Sequence, residues 1–302
     1  MKIGIIGAGN IALKAYVPTY STLQDVHDFV IYSRDRTKAI NLQEKYNFLG
    51  VTTELSELYA SDIVFIHAAT PAHFELAHDF LSNGVHVFMD KPISEDFSEV
   101  LALQNLAKEK NLLFIIGFNR RFAPRVTELK AISQKNIITV TKNRINETFD
   151  LTYGLYDLFI HPLDTLIYLL DDEIIDYQVF LRSDNARLRQ IVIVIETVTE
   201  TGIARLNAKS GANTETITVE SETATYHLLN LTDYQIDRPT GKQVISFKDW
   251  DTTLYKRGFE PMVKAVLTEL ERFDGTNREE IMQKLKQTDV VRSHEMIAEI
   301  LA

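Results

Sequence analysis

Short apolar runs recur along the first 118 residues and alternate with stretches of helical period. The runs KIGII (2–6), DFVIYS (28–33), DIVFIHA (62–68), VHVFMD (85–90) and LLFII (112–116) are rich in β-branched and aromatic residues and read as buried strands. GVTTE (50–54) reads as a weaker one. Between them, HFELAHDFLSNG (73–84) puts Phe74, Ala77, Phe80 and Leu81 on one face and stops at Asn83-Gly84. SEDFSEVLALQNLAKEKN (94–111) reads as a long amphipathic helix with Ser94 as its N-cap. Buried strands alternating with helices predict a doubly wound parallel sheet covered on both faces. After residue 119 the pattern changes. One helix is expected at about 155–170, followed by strands without intervening helices: QIVIVIETV, GIARLNA, TETITVE, ATYHLLNL and KQVISF. The turn signal Glu200-Thr201-Gly202 separates the first two, and the set reads as an antiparallel meander. Helical stretches at about 258–273 and 277–301 close the chain. The expected organisation is an α/β protein of two domains, 1–118 and 119–302.

The turn after the first strand narrows the chemistry. Gly7-Ala8-Gly9-Asn10-Ile11-Ala12 is a G-x-G-x-x-A at the entry to a helix. The first glycine permits the tight turn, the second lets backbone approach a pyrophosphate, and the small third residue lets helix pack on strand. The helix N-terminus adds free N–H groups and partial positive charge. Gly7, Gly9, Asn10 and Ile11 are therefore candidate contacts to a dinucleotide. An acidic residue ending the second strand would bind the ribose hydroxyls of NAD; Ser33 and Arg34 stand there instead, which favours the 2′-phosphate of NADP. Ligands of such sheets lie beyond the carboxyl ends of the strands. That brings in Thr70, Pro71 and His73 after the fourth strand, and Asp90-Lys91-Pro92 after the fifth.

A nicotinamide moves hydride but not a proton, so the protein must supply an acid/base group. Asp157 and His161, spaced i, i+4 in GLYDLFIHPLDTLIYLL, share a face of the expected helix, and Asp164 lies one turn on. Pro162 predicts a kink or a helix start beside them. Lys142, Arg144, Asn146 and Tyr153 lead into this segment and suit a polar substrate. His67 and His86 read as core histidines within strands, and no spacing fits a metal site.

Composition removes other classes. The 302 residues carry a net charge of −10, which argues against nucleic-acid and membrane partners. With no cysteine, disulfides and thiolate zinc sites are excluded, and a cytoplasmic protein is expected. No signal peptide or spanning segment is apparent.

Over nearly its whole length the chain resembles the Gfo/Idh/MocA oxidoreductases, and among them the MviM-type members. The resemblance rests on GIIGAGNIALKAYVP, NGVHVFMDKPIS (the E-K-P element), IIGFNRRFAPRV, DLFIHPLDT (D-x-x-x-H-x-x-D) and TLYKRGFEPMV, in that order. It implies a Rossmann domain, then an α/β domain with an open, mostly antiparallel sheet that makes homo-oligomer contacts. It implies that Lys91, Asp157 and His161 are catalytic, with Asp90 standing where the family has glutamate. The implied activity is hydride transfer between NAD(P) and a hydroxyl-bearing carbon of a sugar, polyol or related small molecule. A redox-neutral sugar hydrolase or lyase of the same fold, and an NAD(P)-binding sensor, are the alternatives.

Overall fold

The structure, a computed structural model, describes residues 1–302. The chain divides into two compact units, Met1–Gly117 with Phe259–Thr288, and Phe118–Gly258 with Asp289–Ala302. No helix is long and apolar enough to cross a membrane.

The first unit holds six strands: β1 (Lys2–Ile6), β2 (Asp28–Tyr32), β3 (Gly50–Thr52), β4 (Ile63–Ile66), β5 (His86–Met89) and β6 (Phe114–Ile116). They pair in parallel in the order β3-β2-β1-β4-β5-β6. All four β4 residues are buried, as a strand covered on both faces requires. The helix His73–Ser82 buries His73, Ala77, Phe80 and Leu81, so its inner face begins at His73 and Phe74 stays half-buried. The helix Phe97–Glu109 is capped by Asp96, whose carboxylate accepts the Ser98 N–H at 2.8 Å. Ser94, the expected cap, instead accepts the Asp96 N–H at 3.0 Å and holds the turn before it.

The segment Phe259–Thr288 falls at the end of the chain but packs with this unit. The reason is the edge strand β6, whose free backbone groups need partners. The Gln287 side chain accepts the Ile116 N–H at 2.8 Å, and Arg278 Nε donates to Leu112 O at 2.9 Å. The ring of Phe259 meets Tyr16 edge-on at 5.3 Å. A boundary read along the chain misses this return.

The second unit is built on β7 (Lys135–Ile145), β8 (Phe149–Asp150), β9 (Asp176–Asp184), β10 (Arg187–Glu196), β11 (Thr201–Ser210), β12 (Glu215–Ser221), β13 (Thr225–Leu229), β14 (Asp233–Arg238) and β15 (Gly241–Ile245). The path is β15-β14-β13-β12-β7-β11-β10-β8, with β9 pairing β10. It is not a simple meander. β7 enters between β12 and β11 and runs parallel to β11. The other pairings are antiparallel, so the sheet is mixed but mostly antiparallel. The helix Ile160–Leu169 packs on β7 and β11 and buries Leu163, Leu166 and Leu169. Gly202 permits this approach: a Cβ there would lie 2.9 Å from Leu166 Cδ1.

Candidate functional site: a glycine turn and an acid/base turn

In the first unit β1 runs into the glycine turn. Gly7 has φ +97°, and a Cβ on it would lie 2.6 Å from the His67 carbonyl carbon and 2.7 Å from the Ala68 nitrogen. Only glycine fits against the end of β4 here. Gly9 differs, because a Cβ on it would meet nothing within 4 Å. Protein packing does not explain that glycine, whereas an open approach to a bound pyrophosphate does. The first bond back along the helix runs from the Leu13 N–H to Gly9 O at 3.1 Å, so the N–H groups of Asn10, Ile11 and Ala12 precede the helical ladder. Ile11 is 46% exposed at the same turn. These residues fit a dinucleotide.

At the end of β2, Ser33 Oγ accepts the Asp35 N–H at 3.1 Å, and the Asp35 carboxylate caps the next helix through the Lys38 N–H at 3.1 Å. The nearby acid is thus committed to the helix. Arg34, Arg36 and Lys38 are all exposed. Thr70 and Pro71 form a short 3₁₀ turn after β4. His73 is buried, with Nδ1 2.8 Å from Pro92 O and Nε2 3.0 Å from Ala68 O. It therefore braces the loop carrying Lys91 rather than presenting its ring to solvent. Burial lowers its pKa. The Lys91–Pro92 peptide is cis.

Asp90 is held inside a network that the sequence does not show. The Tyr16 hydroxyl donates to Asp90 Oδ1, and His67 Nδ1 lies 2.9 Å from Oδ2. His67 Nε2 lies 2.8 Å from the Tyr20 hydroxyl. Burial, then the charge of Asp90, raises both tyrosines well above their ordinary value, so both phenols keep their protons. One assignment satisfies every group: Tyr20 donates to Nε2, Nδ1–H donates to Asp90, and Tyr16 donates to the other oxygen. Asp90 thus ties the ends of β4 and β5 to the first helix, one residue before Lys91.

In the second unit Gly154–Phe159 forms a π-helical turn that passes directly into the helix Ile160–Leu169. Pro162 lies three residues past the π turn and has no N–H to bond back to it. Asp157 lies on the π turn, and His161 is the second residue of the helix. The exposed Tyr153 hydrogen-bonds Asp157, and its pKa is raised by burial, by that bond and by the carboxylate charge. His161 Nδ1 is 2.7 Å from Arg120 Nη1. A guanidinium can only donate, so Nδ1 is the acceptor and the neutral ring carries its proton on Nε2.

Arg120 also holds Glu215 with both arms, Nε to Oε1 and Nη2 to Oε2 at 2.8 Å. Lys142 lies directly across the sheet from Glu215, with Nζ 3.8 Å from Oε2. Burial alone would raise the Glu215 pKa, but the charge and hydrogen bonds of Arg120, with Lys142 and Arg257, outweigh it and hold it at about 2. Asp164, one turn on from His161 in the sequence, faces Arg121 at 2.6 Å. Arg144 sits on β7, and Asn146 follows it with φ 45°, exposed. Sequence reading missed Arg120, Glu215 and Arg257. The one available signal was the paired arginine in FNRRF, where neighbouring side chains of a tight turn must diverge.

The similarities to known proteins make the chain an NAD(P)-dependent dehydrogenase or reductase. Residues 1–118 match the sequence model of an oxidoreductase family with an NAD-binding Rossmann fold, Gfo/Idh/MocA. The chain is 28% identical to YceM of Salmonella typhimurium over 268 residues, covering 86% of each chain. It is 27% identical over 230 residues to the myo-inositol 2-dehydrogenase of Thermotoga maritima, covering 70% of this chain and 66% of that one. Among solved structures it is similar to the MviM dehydrogenase of Clostridium difficile, with TM-score 0.83 and 26% identity over 95% of this chain and 98% of that one. Residues 1–118 carry the NAD-binding domain of the Gfo/Idh/MocA oxidoreductases, and over most of its length the chain is similar to members of that family.

Proposed function

We propose that the chain transfers hydride between NADP(H) and a hydroxyl-bearing carbon of a polyol, a sugar or a related small molecule. A bound nicotinamide supplies the hydride chemistry. His161 exchanges the hydroxyl proton, Asp157 stabilises its charged form, and Lys91 steadies the alkoxide. The observation that carries this reading is the Arg120–His161 contact of 2.7 Å. It fixes the tautomer of a half-buried histidine: in the resting ring Nε2–H donates to and polarises a carbonyl, and because the charged ring carries a hydrogen on Nδ1 as well, proton exchange at Nε2 requires the Arg120 bond to open. The myo-inositol 2-dehydrogenase relative supports the polyol class.

The preference for NADP rests on Ser33 and the exposed Arg34, with Asp35 committed to its helix cap. Residues 1–118 are the cofactor part, and the second unit is the substrate part, its open sheet serving contacts between copies of the chain. The test is a screen of polyols and sugars with NADPH and NADH, followed at the nicotinamide absorbance. His161→Ala should lower turnover by roughly 10²- to 10⁴-fold with cofactor affinity retained. Full turnover in that variant would overturn the assignment, and tighter binding of NADH than NADPH would overturn the cofactor preference.

A further inference from the structure

Four cations of the second unit, Arg120, Lys142, Arg144 and Arg257, form one cluster that reaches His161 through Arg120. Arg120, Lys142 and Arg257 all act on the carboxylate of Glu215. Arg120 takes both Glu215 oxygens, which leaves little for the others. Arg257 is seated beside Arg120 by the backbone itself. Gly258 has φ +85°, and a Cβ there would collide with Asn119 O and lie 2.5 Å from Ala123 N. The Asn119 side chain also donates to Arg257 O at 2.7 Å. Arg144 lies near enough to Arg257 for their charges to repel. Neither Arg144 nor Arg257 makes an ion pair, and Arg144 Nε is buried with no hydrogen-bond partner. Glu147 and Asp157 lie on the Tyr153 side of the cluster.

We propose that Arg144 and Arg257, in the cluster that Arg120 links to His161, bind an oxyanion carried by the substrate, a carboxylate or a phosphate. The proposal rests on the reading of His161 as the acid/base group that handles a substrate hydroxyl. A half-buried guanidinium with an unmet donor is costly, and a planar or tetrahedral oxyanion supplies the missing acceptors in the forked geometry arginine favours. Burial and then the charge of Arg120 push the Arg257 pKa down, against the pull of Glu215. The chain as a whole carries a charge of −10, so this gathering of cations runs against its average and would draw an anionic group to one place. The substrate class is thereby narrowed from a neutral polyol to an acid or phosphate of one.

The test is calorimetric binding to the NADPH-saturated protein of D-glucose, D-glucuronate and D-glucose 6-phosphate, with turnover assayed in parallel. The anionic probes should bind at least about tenfold tighter than glucose, and the stronger of the two identifies carboxylate or phosphate. Arg144→Gln and Arg257→Gln should each weaken that probe by about 10- to 100-fold, and Arg257→Lys should recover part of the loss. Unchanged melting temperatures in the variants separate lost binding from lost folding. Equal affinity for glucose and both anions, or anion binding indifferent to both arginines, would overturn the proposal. Anion binding through Arg144 and Arg257 with no turnover of any probe would uphold the oxyanion site and count against the hydride-transfer reading instead.

Discussion

Arg120 and Arg121 leave one short turn, Asn119–Phe122, in different directions and meet different partners. Arg121 is fully buried, with Nη2 2.6 Å from Asp164 Oδ1 and Nη1 on Asp289, and it lies against the rings of Phe118 and Tyr168. Its guanidinium is closed in by carboxylates and aromatic faces. Arg120 is nearly as buried, but it shares itself between Glu215 and His161. One cation is sealed into packing, and its neighbour is joined to a ring that can gain and lose a proton. The difference shows that burial and ion pairing alone do not mark a functional arginine. What separates Arg120 from its neighbour is its contact with His161, the candidate acid/base group.

The comparison breaks most visibly in stability. Arg121→Ala leaves Asp164 and Asp289 without their shared cation, and removing one partner of a buried pair costs about 3–5 kcal/mol. Arg120→Ala should cost clearly less, because Lys142 remains 3.8 Å from Glu215. Urea midpoints of the two variants should separate in that order; equal losses would mean that the two arginines do one job.

Activity should order them the other way among folded variants. Losing the charge-assisted bond to His161 is worth roughly 1.5–3 kcal/mol, or about 10- to 100-fold in turnover. Arg120→Lys keeps the charge but not the fork, so it should recover only part, and the pH–rate profile should move in both Arg120 variants. A profile identical to the parent would make Arg120 purely structural.

The smallest effect lies in the pH dependence of stability, where the two clusters have opposite signs. Glu215 is held at about 2, below its ordinary 4.5. Its contribution is complete above pH 4.5 and is lost as pH falls towards 2. Asp164 is raised to about 6 from 3.8, by burial first and by repulsion from Asp289, against the pull of Arg121. Its contribution is complete below pH 3.8 and is lost as pH rises through 6. Denaturation midpoints taken between about pH 3 and 7 should show Glu215→Gln flattening the acid side and Asp164→Asn flattening the decline between about 4 and 6. The same sign in both variants would undo the contrast.

Much of the first unit was legible because its signals are local. Each inner strand is a short apolar run, and the Gly7–Ala12 turn carries its own backbone logic. β9 and β14 escaped notice because DYQVFLRSD lies half exposed on the side of β10 and DYQIDR is broken by charged and amide residues. The insertion of β7 between β12 and β11 leaves no mark in periodicity, since both faces of β7 read the same whichever strands flank it. At the candidate site, the i, i+4 spacing of Asp157 and His161 and the placement of Lys91 after β5 were readable. The partners of these groups were not. His67 looked like a core histidine until Asp90, Tyr16 and Tyr20 came around it.

By itself the sequence determined the alternation of elements, the glycine turn, the absence of an acid at Ser33 and the candidate acid/base residues, because each depends on neighbours within a few positions. Only the tertiary structure decided which of two adjacent arginines meets His161, that Gln287 closes the edge of β6, and that Glu215 lies opposite Lys142. Those pairings join residues 41, 171 and 73 positions apart. Their energies come from burial and geometry that exist only once the sheets have formed, and no local pattern in the chain records them.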